Sequence, residues 1–188
     1  MASKMKEDLP VGIIGMGSMG SFVSRAIISG KAPGVKLLAV AEIRLLHNDL
    51  GRELKAHSVS VVDSFDSLPK FPIGLALECA NQVVARECGP LFIDKGIDLL
   101  IMSVGAVVQE DFLRALSRRA EKRRGQIYLP SGAVGAIDAL QAAKIQGLDE
   151  VTLTTRKPPR SLGKIEEVDL EGLKKPLVIF EGPAKERW

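Results

Sequence analysis

Histidine, cysteine and aromatic residues are all scarce in this 188-residue chain, and each scarcity removes a class of chemistry. The only cysteines, Cys79 and Cys88, lack the paired spacing of a zinc centre and the numbers for a disulfide framework, so no metal is assigned and a reduced, cytoplasmic setting is expected. The only histidines, His47 and His57, fall in and just after a helix expected at 45–55, away from any reacting centre, and neither is given a role. Aromatic residues make up 4%, and none interleaves with the one basic cluster, Arg118, Arg119, Lys122, Arg123 and Arg124. That cluster reads as a helix end, where cations meet the negative pole and Gly125 stops the helix, and no nucleic-acid partner is expected. No apolar run approaches the length of a membrane span, and "MASKMKEDLP" has no signal-length apolar stretch, so neither membrane insertion nor secretion is expected.

Core material, by contrast, is ample. Apolar residues reach 46%, mean hydropathy is +0.12 and the net charge is only +3, values that suit a stable globule with room for one domain and part of another. Apolar runs rich in Val, Ile and Leu recur at "VGIIG", "KLLAVAE", "IGLALECA" and "IDLLIMSVGA". They are continuous rather than alternating, as strands buried on both faces of a parallel sheet must be. Helical stretches are expected at 21–29, 45–55, 82–95 and 109–124, with Gly30 and Gly96 as stops. Strands alternating with helices give right-handed crossovers, hence an α/β fold with a doubly wound parallel sheet of Rossmann type. "GQIYLPSGAVGAIDAL" adds a strand, turn and helix, closing a first domain at 1–131. Beyond it, "EVTLTTRKPP" and "KPLVIFEG" read as two half-exposed strands opening a second α+β domain over 132–188, too few to complete one.

The chemistry concentrates at the carboxyl ends of those strands. Gly15, Gly17 and Gly20 fit G-x-G-x-x-G, a weak match in a chain with 18 glycines until its context is read. The motif follows a strand and opens a helix, and Glu42 lies 22 residues past Gly20 at the end of the next strand. Gly15 makes the turn, Gly17 lets backbone approach a pyrophosphate, and Gly20 lets helix pack on sheet. A dinucleotide is therefore expected along Gly15, Met16, Gly17, Ser18, Met19 and Gly20, its phosphates on the free N–H groups of the helix. Glu42 is expected to accept the adenosine ribose hydroxyls and favour NAD, while Arg44 leaves NADP open. Ala80, Asn81, Ser103, Val104 and Gly105 end two further strands and are candidates for the ribose and nicotinamide. Cys79 reads as core filling, since no base stands beside it. Arg156, Lys157 and Arg160 suit either a carboxylate substrate or plain solvent exposure.

Taken in order, "GIIGMGSMG", "LALECANQ", "GIDLLIMSVGA", "IYLPSGAVGAIDAL", "VTLTTRKPP" and "LVIFEG" resemble the L-aspartate dehydrogenase family from Val11 to Gly182, most specifically through "SGAVGAIDAL" and "VTLTTRKPP". The resemblance implies an enzyme that uses NAD or NADP to oxidise L-aspartate to iminoaspartate, released as oxaloacetate and ammonia, or runs the reverse, and that feeds NAD biosynthesis. It also implies that Ala133 contacts the cofactor, that Ser131 and Gly132 border the substrate, and that the full-length form is a homo-oligomer. Family members carry a further stretch with a cofactor-contacting asparagine and a catalytic histidine. This sequence has no histidine after His57, so no catalytic residue is named in it. The competing expectations are a related dehydrogenase of homoserine or dihydrodipicolinate type and a dinucleotide-binding module without turnover.

Overall fold

A computed structural model of the chain describes residues 7–43, 49–132, 134–158 and 175–183. The chain divides into two compact units, Met1–Ala133 and Val134–Trp188.

In the first unit, β1 (Leu9–Ile14), β2 (Val35–Ala41), β3 (Ser60–Val62), β4 (Leu75–Glu78), β5 (Asp98–Ile101) and β6 (Ile127–Tyr128) form one sheet in the order β3-β2-β1-β4-β5-β6. Every pairing is parallel. Among the described residues four α-helices accompany it: α1 (Ser18–Ile28), α2 (Asp49–Ala56), α3 (Gln82–Asp94) and α4 (Glu110–Arg123), with short 3-10 segments at Phe65–Lys70 and Val104–Val108. The helices cover both faces, which is why the strands are predominantly apolar. Val11, Ile13 and Val40 pack with Ile27 of α1 and Leu50 and Leu54 of α2. Ile14, Ala39 and Ala41 lie with Ala85, Cys88 and Phe92 of α3 and Leu116 of α4 on the other side. The direction of strand succession reverses between β1 and β4, and such a switch point opens a crevice at the carboxyl edge of the sheet.

Local signals explain most boundaries. Helix α1 begins at Ser18, earlier than expected, because Gly17 takes the N-cap position in extended conformation. Gly30 and Gly96 follow α1 and α3 at φ of +75° and +73°, the left-handed turn that ends a helix. At the end of α4 that conformation falls on Arg124, one residue before the glycine expected to stop it. Arg119 of the basic cluster pairs with Asp94 of α3 at 2.5 Å, and Arg25 of α1 pairs with Glu53 of α2 at 2.8 Å. The Glu53 carboxyl is held below its ordinary range by that hydrogen bond. Strand β3 escapes a reading by apolar runs because it is three residues long and only partly buried.

The second unit contains α5 (Ile137–Gln146), none of whose residues is buried. The strands expected at "EVTLTTRKPP" and "KPLVIFEG" are not formed among the described residues: 151–158 and 175–183 enter no ladder. Val151, Leu153 and Val178 stand exposed there. A strand exists only where a neighbour takes its N–H and C=O groups in a regular ladder, and among the described residues these stretches enter none. Among the described residues, no helix is long and apolar enough to cross a membrane.

Candidate functional site

The glycine turn between β1 and α1 is built by close backbone approach. Gly15 has φ +85°, and a Cβ there would lie 2.8 Å from the Ala80 Cβ. A Cβ at Gly20 would lie 1.9 Å from the Gly15 carbonyl oxygen, so only glycine lets α1 seat on the turn. Gly17 differs, since a Cβ there would meet nothing within 4 Å. Space is therefore kept open in front of the first turn of α1, where no side chain caps the helix. Unshared N–H groups and the positive pole of a helix are features that suit an anion.

Around the turn, Met16 is fixed from several sides. Its carbonyl accepts the Ser21 hydroxyl at 2.8 Å, its side chain is buried, and its N–H donates to Glu42 Oε2 at 2.7 Å. Glu42, just past β2, therefore stands beside the glycine turn, where the ribose partner of a dinucleotide belongs. Ser18 and Met19 are exposed on the first turn of α1. Arg44 lies outside the described residues, as does His47.

Across the switch point, the ends of β4 and β5 form the opposite wall. Asn81 is the N-cap of α3, its Oδ1 accepting from the N–H groups of Val83 and Val84 at 3.0 and 3.1 Å. Ser103 precedes the 3-10 turn that contains Val104 and Gly105. Between them stands a residue that the apolar pattern hid. Glu78, fully buried at the end of β4, accepts hydrogen bonds from Ala80 N–H, Ser103 N–H and Ser103 Oγ. Its one signal in the sequence is a lone carboxylate inside the run "LALECA".

Ser131 and Gly132 follow β6 and are exposed, with Gly132 at φ +67°. Being just past a parallel strand, they leave the sheet by the same edge as the glycine turn. Ala133 lies outside the described residues, as does Arg160, while Arg156 and Lys157 are exposed in the second unit. His57 sits with Asp8, Lys36 and Val59 around a hollow of about 210 Å³ at the amino ends of β1 and β2, the far edge of the sheet. Burial, helped by the Glu78 charge, pushes the Cys79 thiol up to about 11 and the Cys88 thiol up to about 12. Thiols so held are poor nucleophiles at neutral pH. Among the described residues, no group of three His, Cys, Asp or Glu side chains could hold a metal ion.

Comparison with known proteins agrees with this architecture. Residues 15–130 match the family described as homoserine dehydrogenase, NAD binding domain, and residues 138–187 match aspartate dehydrogenase, C-terminal. The L-aspartate dehydrogenase of Methanosarcina barkeri is 35% identical over 185 residues, covering 95% of this chain and 67% of that protein. That of Ralstonia pickettii is 44% identical over 115 residues, covering 60% of this chain and 43% of that protein. The chain thus spans about two thirds of the length of the Methanosarcina barkeri protein and of its Methanococcus maripaludis counterpart. Among solved structures, GenD2 from gentamicin A biosynthesis in complex with NAD superposes with a TM-score of 0.58 at 19% identity, covering 77% of this chain and 40% of that one. Myo-inositol 2-dehydrogenase from Lactobacillus plantarum superposes with a TM-score of 0.57 at 14% identity, covering 75% and 42%. At such identities the structures establish the fold, and the sequence matches establish the lineage. The first unit is accordingly an NAD-binding Rossmann domain, and the chain belongs to the L-aspartate dehydrogenase family.

Proposed function

We propose that this chain carries the cofactor half, and the beginning of the substrate half, of an NAD(P)-dependent dehydrogenase that interconverts L-aspartate with iminoaspartate, the latter hydrolysing to oxaloacetate and ammonia. The observation that carries the substrate is the match of residues 138–187 to aspartate dehydrogenase, C-terminal. Residues 1–131 form the dinucleotide domain in this reading, and residues 132–188 open the substrate domain.

The turn fits a dinucleotide by a physical criterion: the space that a Gly17 Cβ would fill is open and faces an uncapped helix N-terminus. Backbone N–H groups of Gly17, Ser18 and Met19 would hold the pyrophosphate, and Glu42 would accept the adenosine ribose hydroxyls. The Glu42 charge would repel a 2′-phosphate and so favour NAD over NADP, while Arg44, two residues on in the sequence, leaves NADP open. Ala80, Asn81, Ser103, Val104 and Gly105 would line the ribose and nicotinamide, joined by Ala133, with Ser131 and Gly132 at the substrate. When bound, the nicotinamide supplies the hydride acceptor, and a base outside the residues named here takes the ammonium proton. The setting proposed is cytoplasmic, the whole enzyme a homo-oligomer, and its product a precursor for NAD biosynthesis.

Oxidation of NADH by oxaloacetate plus ammonia, followed by absorbance on the chain extended to the length of its relatives, tests this directly. Turnover with oxaloacetate and ammonia but not with aspartate semialdehyde is expected. Turnover with aspartate semialdehyde alone would instead favour the homoserine-type reading, which rests on the match of residues 15–130.

A further inference from the structure

We propose that Glu78 is a positioning residue that sets the nicotinamide side of the crevice by holding the β4 and β5 turns in register. This rests on the dinucleotide reading of the crevice. Glu78 is the last residue of β4 and is fully buried, yet it lies beyond direct reach of any ligand on the solvent side. Its Oε1 accepts from Ala80 N–H at 2.8 Å and from Ser103 Oγ at 2.9 Å, and its Oε2 accepts from Ser103 N–H at 3.0 Å. The backbone adds a fourth tie, with Met102 N–H donating to the Glu78 carbonyl at 3.0 Å. One side chain therefore fastens the first residues of two separate turns. Ala80 in turn abuts Gly15, so that β1, β4 and β5 are linked across the switch point in a single line, Gly15 to Ala80 to Glu78 to Ser103.

Burying a carboxylate costs free energy unless donors surround it, and the donors here are the turn amides themselves. An apolar residue would fill the volume but leave two N–H groups without acceptors. A glutamine would keep the shape and still fail. A carboxamide has one acceptor oxygen and one NH2 group, so either orientation sets an N–H donor against the N–H of Ala80 or of Ser103. One turn must then move. The adenosine half of the crevice, made by the glycine turn and Glu42, has its own supports and is expected to keep its shape.

The test compares NADH with ADP-ribose, which lacks the nicotinamide, on the full chain and on Glu78→Gln, by equilibrium titration. Glu78→Gln is expected to weaken NADH by about tenfold, as for one lost hydrogen bond to a charged group, and ADP-ribose by less than about threefold. Equal losses for both ligands, or no loss for either, would overturn the positioning role while leaving the crevice assignment standing. Failure of the unaltered chain to bind NADH would overturn the crevice assignment and this role with it. Should Glu78→Gln not fold, amide hydrogen exchange on the unaltered chain decides the matter. Ser103 N–H exchange is expected to slow with NADH and not with ADP-ribose, and equal slowing by both would contradict the proposal.

Discussion

Glu42 Oε2 accepts the N–H of Met16 at 2.7 Å, so the carboxylate at the end of β2 is fastened to the glycine turn before any ligand arrives. A side chain held in this way would meet a ribose already oriented, and little rotamer freedom would be lost on binding.

Replacing that carboxylate with an amide keeps the volume and removes the charge. Glu42→Gln is expected to weaken NADH about tenfold, as when a hydrogen bond to a charged group is lost, and to leave NADPH unchanged or tighter. Parallel titrations of the two nucleotides read the ratio, which narrows if Glu42 selects the ribose and stays constant if it does not.

The glycines of the turn separate folding from binding. Gly20→Ala forces a Cβ to within 1.9 Å of the Gly15 carbonyl oxygen and is expected to cost about 2 kcal/mol of stability, in the range of overpacked cores. Gly17→Ala meets nothing within 4 Å and is expected to leave stability within about 1 kcal/mol, the scale of an N-cap change, while weakening NADH at least tenfold. Thermal unfolding and titration on both variants would expose the idea as wrong if Gly17→Ala bound NADH normally.

Asn81 has a structural duty besides any contact with a ligand. Losing its two bonds to the start of α3 in Asn81→Ala is expected to cost about 1 kcal/mol in urea unfolding. Asn81→Asp, also a good N-cap, is expected to recover most of that, and equal destabilisation by both would count against the cap.

The buried thiols predict an alkaline weakness. The folded values of about 11 for Cys79 and about 12 for Cys88 lie above the ordinary 9.0. The unfolded chain therefore releases these protons first, so the stabilisation is complete below about pH 9 and is lost as pH rises toward 11 and 12. Urea midpoints should fall across that window, less steeply in Cys79→Ala. An identical slope in that variant would remove Cys79 from the explanation.

How far the sequence was readable follows from the physics of each part. The glycine turn and the placing of Glu42 beside it were legible because a tight strand-to-helix turn demands glycines at fixed spacing, and continuous Val, Ile and Leu marked β1, β2, β4 and β5. Strand β3 was not, since three half-buried residues carry no period. Glu78 was not, because its role comes from donors 2 and 25 residues away that only the sheet brings together. Met16 falls within the motif by its spacing, but only the structure shows that its side chain turns inward against Ser24. The stretches at 151–158 and 175–183 have strand-like composition, but composition cannot supply the neighbour a ladder requires.

The central claim, that the turn at Gly15–Gly20 holds a dinucleotide, is tested most directly by a crystal structure of the chain with NAD. The pyrophosphate is expected within hydrogen-bond distance of the N–H groups at Gly17, Ser18 and Met19, with the adenosine ribose on Glu42. A dinucleotide bound elsewhere, or none at saturating concentration, would contradict it.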